Sequence, residues 1–152
     1  MALWITKQRG QTGTVFGFTD NFEGLGIFID TYKNGRAGTT FPYVMAMLGD
    51  GQTPYDNDND GKANDVGGCS VFTPIKRRCL LQARGIRKAS VPTKGRLTYH
   101  KDNFLSLELQ YRKDEEFHEC FNIPNVTLPT VTYLGFSAHT GEVSGTPSSS
   151  CL

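Results

Sequence analysis

Apolar and polar positions alternate with a period of two along much of the chain. Leu105, Leu107, Leu109 and Tyr111 fall on one side, and Ser106, Glu108, Gln110 and Arg112 on the other. Successive side chains of a strand point to opposite faces, so this pattern predicts a half-buried antiparallel strand. Ala2 to Thr6, Gly24 to Thr31, Phe41 to Leu48, Arg96 to His100 and Val131 to Ala138 also read as strands. Turn clusters separate them: Lys33-Asn34-Gly35, Gly49-Asp50-Gly51, Asp60-Gly61 and Pro124-Asn125. Gly49-Asp50-Gly51, between Met47-Leu48 and Gln52-Thr53, predicts a hairpin. No helix is expected beyond a turn over Asp114 to Cys120. Many short strands at this spacing predict an all-β sandwich or barrel.

Composition agrees with that class. The chain has 152 residues, enough for one domain with a real core. Gly 17, Phe 10 and Tyr 6 favour turns and strands over helices. A net charge of +1 supplies no global field toward nucleic acid or a membrane surface. The charge is unevenly placed, however. Val66 to Lys101 holds no acid, yet contains Lys76, Arg77, Arg78, Arg84, Arg87, Lys88, Lys94 and Arg96. Within it, Thr73 to Thr93 is broken by Pro74 and Pro92 and has no strand period. It lacks the interleaved aromatics of an RNA-binding surface, so it reads as an unstructured insert. The end of the chain, 145–152, is small and polar and reads as a disordered tail. No apolar run approaches the roughly 20 residues of a membrane span. The N-terminus lacks a charged leader and a cleavage site, so it does not read as a signal peptide.

Two stretches carry the candidate chemistry. The apolar run Gly24-Leu25-Gly26-Ile27-Phe28-Ile29 ends on Asp30, with Asn34 four residues beyond. Asp56-Asn57-Asp58-Asn59-Asp60 then packs three carboxylates and two amides into five residues. Ca2+ takes about six to eight oxygens from carboxylates, amides, carbonyls and water. Hard oxygen donors at a strand end, facing an acidic loop, therefore read as a calcium site on a β scaffold. A helix-loop-helix calcium loop is excluded, because its twelfth position needs a bidentate acid and here is Gly67.

Other chemistry is thinner. A glycan hydrolase needs two carboxylates about 5–10 Å apart across a cleft. Glu108 is flanked by Ser106 and Gln110, and Asp114-Glu115-Glu116 falls in a turn, so no such pair is expected. Gly135-Phe136-Ser137-Ala138 is followed by His139, so no nucleophile elbow exists. The chain is read as no enzyme. His100, His118 and His139 have no metal spacing. Asn125-Val126-Thr127 matches a glycosylation sequon, which matters only in the secretory pathway. The spacing of Cys69, Cys79, Cys120 and Cys151 fits no zinc pattern. Cys69 and Cys120 lie near strand ends, where they either bridge neighbouring strands or are two separate buried thiols.

Ala2-Leu3-Trp4-Ile5, Gly13-Thr14-Val15-Phe16-Gly17 and Gly24-Leu25-Gly26-Ile27-Phe28-Ile29-Asp30-Thr31-Tyr32 occur in an order that resembles the leguminous-type (L-type) lectin domain. Cys69, Phe117-His118-Glu119-Cys120 and Leu134-Gly135-Phe136-Ser137-Ala138-His139-Thr140-Gly141 continue the match. It is nearest to the cargo receptors of the early secretory pathway, in their fungal form. The resemblance covers 1–144 apart from the insert at about 73–93. It implies an antiparallel two-sheet jelly-roll-like (concanavalin-type) sandwich, incomplete here. It also implies calcium-dependent binding of high-mannose N-glycans on glycoprotein cargo, in transport from endoplasmic reticulum to Golgi. Carried over by position, Asp30, the Tyr32 carbonyl, the Asn34 side chain and Asp60 are the calcium ligands. Tyr32, Asn34, Asn57, Gly141, Glu142 and Val143 are the sugar-binding residues, and Cys69 and Cys120 form the disulfide. The parent protein is expected to be oligomeric, because single sites of this kind are weak and avidity compensates.

Departures from the family pattern are definite. The family's sugar-binding aspartate precedes the Ala-Leu-Trp strand, and here that strand begins at Met1. Asn57 stands where many animal members carry histidine. Lys33 and Gly35 replace acids of a second calcium site, so one ion is expected. Sandwiches of this class run to about 200–250 residues. The chain therefore reads as truncated at both ends, with Met1 an internal methionine. The alternative function is a truncated, non-binding lectin fragment.

Overall fold

The computed structural model describes residues 1–73, 84–85, 92–111 and 116–140. Among the described residues ten strands follow one another: β1 (Ala2–Thr6), β2 (Glu23–Asp30), β3 (Tyr43–Asp50), β4 (Gly67–Ser70), β5 (Phe72–Thr73), β6 (Arg84–Gly85), β7 (Lys94–His100), β8 (Phe104–Gln110), β9 (His118–Pro124) and β10 (Tyr133–Ser137). They pair into a five-stranded sheet of order β10-β1-β2-β3-β4, a three-stranded sheet β7-β8-β9 and a two-stranded ladder β5-β6. Every ladder is antiparallel. The expected all-β two-sheet architecture is what the chain adopts.

The period-2 pattern explains the packing. Leu105, Leu107 and Leu109 of β8 turn inward and meet Leu25 and Ile27 of β2 and Val44 and Ala46 of β3. That cluster is the core between the two sheets. Removing this apolar surface from water is the main driving term. β2 and β3 are buried on their other face too, which is why they read as continuous apolar runs. There Trp4, Phe28, Met45 and Met47 pack beneath Val15, Phe18, Phe22 and Tyr55 from the loops. Trp4 stacks on Phe18 at 4.4 Å and meets Phe22 and Phe28 edge-on at 5.0 and 5.2 Å. Its indole N–H donates to Ser137 Oγ at 2.7 Å, so the buried polar tip is satisfied. Cys69 of β4 and Cys120 of β9 are joined by a disulfide that ties the two sheets together.

Several elements differ from expectation. Gly49-Asp50-Gly51 is no hairpin. β3 runs on to Asp50, which pairs with Glu23. The Asp50 carboxylate then accepts the N–H groups of Gln52 and Thr53 at 2.8 and 2.7 Å, closing a side-chain turn instead. His118–Cys120 is strand, not a helical turn. β4 was not expected. Part of the basic insert is ordered, since Phe72 pairs with Gly85 and Thr73 with Arg84. Residues 74–83 and 86–91 of that insert, the 145–152 tail, Cys79 and Cys151 lie outside the described residues. No described helix is long and apolar enough to cross a membrane.

On the edge strand β10, Leu134 and Phe136 face the side of the sheet where the core lies, yet are 69% and 76% exposed. The three-stranded sheet does not extend over them.

Candidate functional site

β2 ends on Asp30, opposite Tyr43, the first residue of β3. The loop between them, 31–42, therefore projects from one end of the five-stranded sheet. The loop after β3, 51–66, returns across the sheet's outer face. Tyr55 anchors that return, because its ring packs 5.1 Å from Phe28 and 5.8 Å from Phe16. The acidic run is thereby laid beside the 31–42 loop.

Its three carboxylates have separate environments. Asp56 serves the loop itself: it accepts from the Asn59 and Ala63 amides at 3.3 Å each and from Asn59 Nδ2 at 3.1 Å. Asp58 is exposed. Asp60 is buried, only 4% exposed, and adopts a left-handed backbone at φ 51°. Its Oδ2 accepts the consecutive N–H groups of Asn34, Gly35 and Arg36 at 2.9, 3.0 and 3.1 Å. Its Oδ1 accepts Asn34 Nδ2 at 2.7 Å. Successive amides converging on one oxygen form an anion-holding nest. Only glycine fits at its centre, since a Cβ on Gly35 would collide with the Asp58 carbonyl oxygen.

The charges follow this geometry. Burial alone would raise Asp60, but its four hydrogen bonds together hold the carboxyl below the usual range. Asp30 goes the other way. Burial pushes it up, the Tyr32 amide donated to Oδ1 at 3.0 Å pulls it back, and the Asp60 charge adds to the rise. The Tyr55 hydroxyl is pushed up by burial and then by Asp30 and Asp60. The corner between the loops is thus a region of negative potential.

Asp30, Tyr32, Asn34, Asn57 and Asp60 all lie on these two loops or at the strand end beneath them. Asn34 and Asp60 are in direct contact, and Asp30 and Asp60 feel each other's charge. The Tyr32 ring is 54% exposed. Asn57 is exposed, with Nδ2 turned to the Tyr55 carbonyl at 3.3 Å. Gly141, Glu142 and Val143 lie outside the described residues. Among the described residues no three His, Cys, Asp or Glu side chains converge as a metal cluster. The available donors are instead two carboxylates, the Asn34 amide oxygen and loop carbonyls. Because Asn34 donates through Nδ2, its Oδ1 remains an acceptor. This all-oxygen set fits a hard cation and not zinc.

Two residues here escaped the sequence reading. Arg36, 8% exposed, donates from Nη2 to Asp65 Oδ2, and Tyr43 donates its hydroxyl to the same oxygen at 3.0 Å. Neither Arg36 nor Asp65 lies in a recognisable motif, so the sequence offers no signal for the pair.

The sequence matches a family model described as the legume-like lectin family over residues 1–149. An L-type lectin-like domain-containing protein of Schizosaccharomyces pombe is 45% identical over 145 residues, spanning 95% of this chain and 42% of its own length. The vesicular integral-membrane protein VIP36 of Homo sapiens is 37% identical over 146 residues, spanning 95% of this chain and 37% of its own length. The chain therefore spans less than half the length of these relatives. Among solved structures, the exoplasmic/lumenal domain of VIP36 in a Ca2+/Man-bound form superposes with a TM-score of 0.79 at 34% identity. That superposition covers 92% of this chain and 52% of the domain. Legume-like lectins bind carbohydrate and are not enzymes, which removes the hydrolase reading. The chain belongs to the legume-like lectin family.

Proposed function

We propose that this chain carries the calcium-organised half of a lectin site for high-mannose N-glycans on glycoproteins moving between endoplasmic reticulum and Golgi. The observation that carries the proposal is the Asp60 carboxylate, locked in the 34–36 amides and touching Asn34. In this reading Asp30, the Tyr32 carbonyl, Asn34 Oδ1 and Asp60 hold one Ca2+. The ion's contribution when bound is charge neutralisation and fixed orientation of its oxygen ligands. The rest is done by the chain's own groups. Asn34 keeps its amide in one orientation and donates to a sugar hydroxyl. The Tyr32 ring, already exposed, lies against a pyranose face. Asn57 turns its amide from the Tyr55 carbonyl to the sugar. Gly141, Glu142 and Val143 close over the glycan. Sugar hydroxyls compete poorly with water unless their partners are fixed in advance, so ordering these loops lowers the cost of binding.

Supporting this, VIP36 domains have been solved in Ca2+/Man-bound, Ca2+/Man3GlcNAc-bound and metal-free forms. Lumenal residence, glycoprotein partners and an oligomeric parent belong to the same proposal. The test is calorimetric titration of the 152-residue chain with a high-mannose oligosaccharide, in millimolar calcium and then in excess chelator. Saturable binding only with calcium supports the reading, and equal heats in both conditions overturn it.

The second reading, a non-binding fragment, is favoured by one observation: the uncovered Leu134 and Phe136 on β10. A chain that binds calcium in a separate titration yet gives no saturable heat with the oligosaccharide would support it.

A further inference from the structure

Resting on the calcium reading of this site, we infer that Arg36 and Asp65 are positioning residues, a largely buried pair that fixes the two ligand loops before the cation arrives. Arg36 acts through both its backbone and its side chain. Its N–H donates to Asp60 Oδ2 at 3.1 Å, completing the nest. Its guanidinium turns the opposite way, to Asp65 at the end of the same acidic loop. The 31–42 loop is therefore fastened to the 51–66 loop twice, once at Asp60 and once at Asp65.

The second fastening stands on rigid ground. Asp65 Oδ1 accepts the N–H of Gly67, the first residue of β4, at 2.8 Å. Tyr43, the first residue of β3, donates to Asp65 Oδ2 and places its ring 4.3 Å under the guanidinium. Arg36 Nη2 lies 3.3 Å from the Tyr43 hydroxyl, Nε donates to Thr39 Oγ1 at 3.1 Å, and Nη1 reaches Met45 Sδ at 3.7 Å. Each of the three guanidinium nitrogens has a partner, and β3 and β4 set the group's position. Tyr43 also faces Asp30 in register, so one strand pair carries both the clamp and a proposed ligand.

A buried ion pair is a weak source of stability, because desolvation offsets its Coulombic gain. What it does supply is one defined arrangement. A cation bound by two loops must otherwise order both of them, and that cost comes out of its affinity. Pairing with Asp65 also neutralises a guanidinium that would otherwise sit uncompensated beside a cation site. Groups that orient metal ligands typically change metal affinity by about 10–100-fold when removed.

The experiment is calcium titration by calorimetry on the 152-residue chain, alongside thermal melting in calcium and in chelator. Arg36→Gln is expected to raise the calcium Kd by about tenfold or more, with Arg36→Lys intermediate because it retains a charge for Asp65. Tyr43→Phe keeps the ring and removes only the hydroxyl, so it folds even if Arg36→Gln does not. Its expected rise is about two- to fivefold, below the range for groups that touch a ligand directly. A calcium-induced rise in Tm that shrinks in these variants supports positioning. An equal drop in Tm with and without calcium, at unchanged Kd, overturns it and leaves the pair a structural one. If the unaltered chain shows no calcium response, the calcium reading itself fails and takes the positioning role with it. If the unaltered chain responds and the variants match it, only the positioning role falls.

Discussion

Asn34 donates its side-chain amide to Asp60 across 26 residues of sequence, at 2.7 Å, while its own backbone N–H reaches the other oxygen of the same carboxylate. One residue thus grips both oxygens of a carboxylate from a different loop. Asp60→Asn would turn an amide toward three N–H donors arranged for an anion. Hydrogen bonds to charged groups contribute about 1.5–3 kcal/mol each way. The variant is expected to melt below the unaltered chain in chelator and to lose any rise with calcium, both read by differential scanning calorimetry.

Asp30 should behave in the opposite sense. Burial and the Asp60 charge raise its carboxyl. A carboxyl raised on folding favours the native state below its unfolded range, and that contribution is lost as pH rises through the folded value. At neutral pH its ionised form therefore opposes folding when no cation is bound. Asp30→Asn is expected to melt above the unaltered chain in chelator at pH 7 and below it in millimolar calcium. The crossing of the two orders is the signature. A variant less stable in both conditions would show that Asp30 is not held against its own charge.

Gly35 tests the packing between the loops. A Cβ there would collide with the Asp58 carbonyl oxygen, which is backbone and has no rotamer to yield. Gly35→Ala must push the loops apart, away from the 34–36 amides and Asp60. Calcium affinity is expected to fall at least tenfold, in the range seen when ligand-orienting groups are lost. Far-ultraviolet circular dichroism should stay unchanged, since neither sheet touches the new methyl.

How far the sequence could be read depends on what each segment packs against. β8 was legible because one face meets the core and the other meets solvent. β4 was not: Gly67-Gly68-Cys69-Ser70 holds no strong strand former. It is a strand because it pairs with β3, and its glycines are needed there. A Cβ on Gly68 would come within 2.5 Å of the Val44 carbonyl oxygen. β9 lost its period for another reason. The β8–β9 register shifts between Leu107 and Glu108, so adjacent Cys120 and Phe121 are both buried. At the site, Asp30, Asn34 and the acidic run were legible as hard oxygen donors, and the family pattern singled out Asp60 among the run's three carboxylates. The Arg36–Asp65 pair was invisible because its partners come from loops brought together only by the fold. The acidic run also misled by count, since Asp56 holds the loop's own turn.

The disulfide separates fold from site. Cys69 and Cys120 close a loop of 51 residues between the two sheets. In the chain-entropy model a cross-link of that length removes about 4 kcal/mol of unfolded-state freedom. Cys69 lies on β4 opposite Val44 and packs against the inner core, and neither cysteine is a proposed ligand. Replacing both cysteines with serine is therefore expected to lower stability by about 2–4 kcal/mol, measured by urea unfolding. The drop should be the same in calcium and in chelator, because the cross-link acts on the unfolded chain and touches no proposed ligand. That calcium-independent loss is the counterpart of the Asp60→Asn result. If the cysteine variant also lost calcium binding, the ion site would depend on how the two sheets are joined and not on its own two loops.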